Sequence, residues 1–346
     1  MTATPDNLSL LPDHVLVNVF KYVGWKDLVN VRLTCKQFDV IIHKKDHYMQ
    51  KAKLCFLDVN FLPHLNSEKE IRITYKICNE SNGQDCVHHD RVGKKSLCYE
   101  NLEDFRNFLK GCDFTKLYQL SFGLYKDTNA LKLFNEYYTP GDDLKYVFLE
   151  DYCDRVKKDP IDVLNFISKI RDTEYMNVTL NFKNENLPKD FKFPVMRSLK
   201  KFCLLESNGT NFVTPEMATH LIYNTKDGCV FNLNLNNEYL YEDITKSLFR
   251  RSPSRYGNGC RCRSYTLRFY RKSPFTDGDR RFYDNHFVRN KYFHVYYADE
   301  QFSQYNFVGS KECYKCHMDY YQSYNIRSIF TYLYDCWNEI LFLRNY

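Results

Sequence analysis

Apolar positions along the chain fall into two regimes. Up to about residue 48 they recur at helical spacing; after about residue 99 short alternating runs take turns with helical stretches. In the first regime Val15, Leu16, Val19, Phe20 and Val23 form one stripe of a helix. Leu11-Pro12 opens it. Pro12 suits the first helical position, where its missing N–H has no intrahelical partner, and Asp13 meets the positive end of the helix dipole. Gly24 reads as a stop. A second helix carries Leu28, Val31 and Leu33, and a third carries Phe38, Ile41 and Ile42.

The second regime alternates strand and helix. Predicted helices cover 101–109, 130–138, 160–170, 215–223 and 240–249; predicted strands cover 117–122, 144–149, 176–182, 199–205, 230–235, 264–270 and 292–297. One strand plus one helix recurs at roughly 24–34 residues, and such a unit must stack on its neighbours to bury its face. Between the regimes only 71–77 (IRITYKI) reads as a strand, and 78–95 is polar and rich in turn residues. Three segments follow: 8–48, a connecting or capping stretch 49–98, and 99–346. The fold class is α/β. A doubly wound or mixed α/β domain would show the same alternation.

Three short helices are fewer than an independent core usually needs, and Cys35 is the only cysteine among them. Their apolar excess is therefore expected to face the rest of the chain or another protein. Up to nine buried side chains, at about 1.5–3 kcal/mol each, would outweigh an association cost of about 4–15 kcal/mol.

The series Leu11-Pro12, Val15-Leu16, Val19-Phe20, Tyr22-Val23, Lys26-Asp27-Leu28, Val31-Arg32-Leu33, Cys35-Lys36, Phe38 resembles an F-box, with Phe38 where many F-boxes have Trp and Gly24-Trp25 in place of a Ser/Thr cap. The resemblance implies docking to the Skp-type adaptor of cullin–RING ubiquitin ligases. By position, Leu11, Pro12, Val15, Leu16, Val19, Phe20, Leu28, Val31 and Cys35 would make the contacts. The segments Leu117-x-x-Leu120, Leu144-x-x-Val147-x-Leu149 and Leu199-x-x-Phe202-x-Leu204 resemble the opening of a leucine-rich repeat without its asparagine. Together these features resemble F-box proteins with degenerate leucine-rich repeats, such as the families expanded in nematodes. They imply an irregular α/β solenoid that holds a protein substrate while partners carry the chemistry.

The chain has 346 residues, 17% of them aromatic, and a net charge of +6. Residues 250–292 hold ten Arg and two Lys against three Asp, so the remainder is slightly acidic. Arg250, Arg251, Arg261, Arg263, Arg268 and Arg271 interleave with aromatics there. This suits an acidic or phosphorylated protein ligand, and also single-stranded nucleic acid, the alternative function. Fourteen cysteines and no visible export signal suggest reduced thiols in the cytoplasm or nucleus. Cys260-x-Cys262 and Cys313-x-x-Cys316-His317 have partial zinc or haem spacing, but such pairs arise by chance in so cysteine-rich a chain. No metal or cofactor is assigned. Ser252-Pro253 and Ser273-Pro274 stay unassigned, and His88-His89 reads as a solvated pair. Without a G-x-S-x-G motif or a phosphate-cradling glycine loop, no intrinsic enzyme is expected.

Overall fold

The computed structural model describes residues 7–61, 71–78, 93–124, 128–151, 159–182, 188, 190–207, 209–225, 229–250, 265–271, 274–287, 293–301 and 304–311. The chain divides into two compact units, Met1–Thr225 and Lys226–Tyr346.

The first unit begins with helices α1 (Asp13–Phe20), α2 (Trp25–Thr34) and α3 (Lys36–Lys44). A mixed sheet follows. Strands β1 (Ala52–Phe61), β2 (Ile71–Ile77) and β3 (Lys95–Tyr99) form an antiparallel edge. Helix α4 (Leu102–Lys110) leads into the short β4 (Cys112–Asp113), which pairs with the start of β1. Then come β5 (Gln119–Leu124), α5 (Asn129–Tyr137), β6 (Tyr146–Asp151), α6 (Pro160–Lys169), β7 (Tyr175–Leu180), β8 (Lys201–Glu206) and α7 (Pro215–Asn224). Strand β5 lies parallel to β1, and β5, β6, β7 and β8 are parallel neighbours in chain order. Helix α5 packs beside both α4 and α6, so these three cover one side of the sheet.

Register explains why the helical side forms a core. Leu120, Val147, Met176 and Phe202 stand level across four strands, as do Phe122, Leu149, Val178 and Leu204. All eight are buried. The period of two in each strand points these residues inward, and the recurrence every 26–29 residues stacks them. The strands also start at a shared level. The amides of Lys145 and Tyr146 both donate to the Tyr118 carbonyl, those of Glu174 and Tyr175 to that of Lys145, and those of Lys200 and Lys201 to that of Glu174. Helix starts follow local sequence. Asn101, Asp159 and Thr214 accept amide hydrogen bonds from Asp104, Ile161 and Met217, and Pro160 and Pro215 open the first turns of α6 and α7.

The second unit contains β9 (Val230–Asn234), α8 (Leu240–Arg250), β10 (Tyr265–Arg271), α9 (Asp277–Phe287), β11 (Phe293–Gln301) and β12 (Gln304–Lys311). Strand β9 is parallel to β10, and β10, β12 and β11 pair antiparallel. Tyr241 is fully buried beneath this sheet. Its hydroxyl donates to the Tyr270 carbonyl at 2.9 Å and accepts from the Leu235 amide at 2.7 Å. The Arg271 guanidinium lies 3.0 Å from both Glu238 and Asp279.

Three expectations change. The stretch 49–98 supplies three strands of the sheet. Pro12 caps α1 from outside, its carbonyl accepting from Val15 and Leu16. Gly24 starts α2 rather than ending α1, its carbonyl accepting from Asp27 and Leu28. Helix α9 was unforeseen because charged residues crowd its few apolar ones. Its Thr276-x-x-Asp279 capping box, with reciprocal amide bonds, was the available signal.

Candidate protein-binding surface

The N-terminal helices are held by packing more than by caps, since none of the three has a side-chain cap. Helix α3 contacts both α1 and α2. Leu16, Phe20, Leu28, Phe38, Ile41, Ile42 and Met49 form one buried cluster, with Leu11, Val17, Val23, Val31 and Cys35 packed partly against it. The rings of Phe20 and Phe38 meet edge to face at 5.2 Å. Arg32 of α2 pairs with Asp39 of α3 at 2.6 Å, but both are almost half exposed, which leaves the pair little net energy. The helices therefore do bury a small core of their own. Large side chains at the crossing of α1 and α3, with Met49 beneath, supply the volume that the expectation overlooked.

The nine residues named from sequence are not equivalent. Leu16, Phe20 and Leu28 are buried within the helical core; Leu11, Val31 and Cys35 are half-buried at its rim; Val15 is half-buried; Pro12 and Val19 are exposed. Val19 faces outward on α1, with Pro12 exposed just before the helix and Tyr22 76% exposed just after it. On α2, Val29 and Leu33 stand one turn apart on the side away from Leu28 and Val31, and Leu33 is 83% exposed. Leu8 and Leu10 extend the apolar surface ahead of α1. The residues expected by position lie mostly on the stripe that also builds the core, while Leu8, Leu10, Tyr22, Val29 and Leu33 are exposed and lie outside that set. The i, i+4 spacing of Val29 and Leu33 was the signal for this outward group.

Eight of the thirteen large apolar side chains exposed among the described residues lie between Leu8 and Tyr48. A short helical segment that both closes a core and concentrates apolar surface outside it has the character of a docking patch.

The basic segment gathers less. Arg251, Arg261 and Arg263 lie outside the described residues, and Arg250 ends α8. Arg268 is half-buried in mid-β10. Arg271 is engaged internally by Glu238 and Asp279, and its side chain is only 12% exposed. Asp279 is affected in turn. Burial alone would raise its pKa, but hydrogen bonds from the Thr276 amide and hydroxyl and the Arg271 charge hold it below the usual carboxylate value. Cys260, Cys262, Cys313, Cys316, His88 and His89 lie outside the described residues. Among the described residues no group of three or more potential metal ligands occurs, and no helix is long and apolar enough to cross a membrane.

The F-box-like family model matches residues 8–50. Among curated proteins none matches the chain.

Proposed function

We propose that the chain is the substrate-recognition subunit of an SCF-type cullin–RING ubiquitin ligase. It binds a Skp-type adaptor through residues 8–50 and a protein substrate through the remainder, and it is not itself an enzyme. The carrying observation is the coincidence of the family match with the densest exposed apolar surface among the described residues. Eight side chains, each roughly half or more exposed, would contribute about 1 kcal/mol apiece when covered. That total of about 8 kcal/mol is on the scale of an association cost of about 4–15 kcal/mol.

In-order parallel strands, level apolar columns and side-by-side helices support a degenerate leucine-rich-repeat-like character for the region from β5 to β8. Such a unit positions a bound protein near a ubiquitin-loaded conjugating enzyme supplied by partners, raising effective concentration. Cytoplasm or nucleus is the setting where these partners act. The experiment is co-purification of wild type and the Leu11→Ala/Pro12→Ala variant with a Skp-type adaptor. Adaptor recovered with wild type and reduced with the variant supports the assignment, and equal recovery removes it.

A further inference from the structure

The side of the first unit's sheet opposite α4–α6 carries ordered rows of side chains. Pair registers align Lys76, Phe56, Gln119, Tyr146, Tyr175 and Lys201 in one row running across the strands. Thr74, Asp58, Ser121, Phe148, Asn177 and Cys203 form the next. All twelve are half-buried rather than sealed.

The first row is aromatic in the middle and cationic at both ends. Lys94 Nζ lies 3.6 Å over the Phe56 ring, and Lys201 Nζ lies 5.2 Å over Tyr175. Tyr146 stands 5.4 Å from Tyr118 and 6.2 Å from Tyr175, and Phe148 is 5.3 Å from Tyr175. Lys145 and Lys200 flank Glu174 at the same level. Among the described residues of these two rows, Lys76 and Lys201, with Lys94 over Phe56, outnumber Asp58, so the rows carry net positive charge although the chain outside 250–292 is slightly acidic. Six strands at about 4.8 Å spacing make the row about 24 Å long, the reach of about seven extended residues.

We propose that this row binds an extended acidic segment of a protein ligand, its carboxylates at the Lys76/Lys94 and Lys201 ends and its apolar side chains on Phe56, Tyr146 and Tyr175. This rests on the substrate-receptor reading and names the substrate's chemistry. Single-stranded nucleic acid fits less well. The rings lean on one another and under lysines instead of standing as separate stacking platforms.

The test is selection of a random dodecapeptide display library on the purified full-length chain, followed by fluorescence anisotropy with a synthetic enriched peptide. Enriched sequences should combine Asp or Glu with apolar residues. Binding should weaken at least about tenfold in a Lys94→Glu/Lys201→Glu variant, to a lesser degree in Lys94→Gln/Lys201→Gln, and with added salt. Thermal unfolding of each variant checks that it is folded, and the glutamine pair serves if the glutamate pair is not. Neutral or basic consensus sequences, or binding indifferent to both lysines, overturn the proposal. So does a labelled thymidine dodecamer that binds through these lysines while no acidic peptide does. Adaptor capture by the same preparation separates the two readings: capture without acidic enrichment sinks this proposal alone, and failed capture sinks the receptor reading.

Discussion

Replacing Leu33 with alanine should weaken adaptor binding without disturbing the fold, whereas replacing Leu16 should do the reverse first. Leu33 is 83% exposed on α2, and Leu16 is fully buried in the small core of α1–α3. Covering a leucine gains about 1.5–3 kcal/mol, so truncating one that an adaptor covers costs about 1–2 kcal/mol of binding. That is roughly a 5- to 30-fold higher Kd. Alanine is the better helix former, which leaves α2 intact. Leu16→Ala costs about 3–5 kcal/mol in lost burial and cavity. A segment matching residues 8–50 commands only about 2–6 kcal/mol in total by size. Hydrogen exchange should then show α1 amides exchanging near the unfolded rate in Leu16→Ala and at the wild-type rate in Leu33→Ala. Calorimetric titration with a purified Skp-type adaptor measures the binding side. Wild-type affinity in Leu33→Ala, with Val29→Ala and Tyr22→Ala equally silent, would refute the assignment of the outward apolar surface as the interface.

Three further outcomes follow from the packing. Gly141→Ala should destabilise the first unit by at least about 1–3 kcal/mol, because a Cβ there would lie 1.8 Å from the Thr115 carbonyl oxygen and backbone must move; urea denaturation followed by hydrogen exchange in β5 checks it. Tyr241→Phe should cost about 1–3 kcal/mol in the second unit, since the buried Leu235 amide and Tyr270 carbonyl lose the hydroxyl between them; thermal unfolding monitored in β10 reports it. Asp279→Asn should destabilise at neutral pH and converge with wild type in acid. The folded-state pKa of Asp279 is depressed, so its stabilisation is fully present above the ordinary carboxylate value near 4 and fades as pH falls through the lower folded value. Denaturant midpoints across that range measure it, and a gap that persists in acid would contradict the charge-based account.

Much of the element order could be read along the chain, and so could the N-terminal pattern that the family match covers. Helices α4 to α8 and strands β5 to β10 begin within two residues of where spacing places them. Their signals are local: a cap, a proline at the start, a period of two or of 3.6. Where two signals compete within one or two residues, only the folded chain decides. Pro12 stands one position outside the helix it is expected to open and Gly24 belongs to the start of α2, both providing the carbonyl that starts a helix. Strands β1 and β3 escaped detection because their residues read as strands only once β5 and β2 are beside them.

Periodicity alone determined that the first forty-odd residues are helical and more apolar than a surface needs, and that strands and helices alternate afterwards. The tertiary structure decided which apolar residues close the core and which face outward, because Leu16 and Val19 share a helix and differ only in what packs against each side. It also set Arg271 between two carboxylates and drew Phe56, Tyr146, Tyr175 and Lys201 into one row. Those are meetings of residues far apart in the chain. Spacing along a sequence carries no record of them, since strand register and long-range packing are fixed only when the whole sheet assembles.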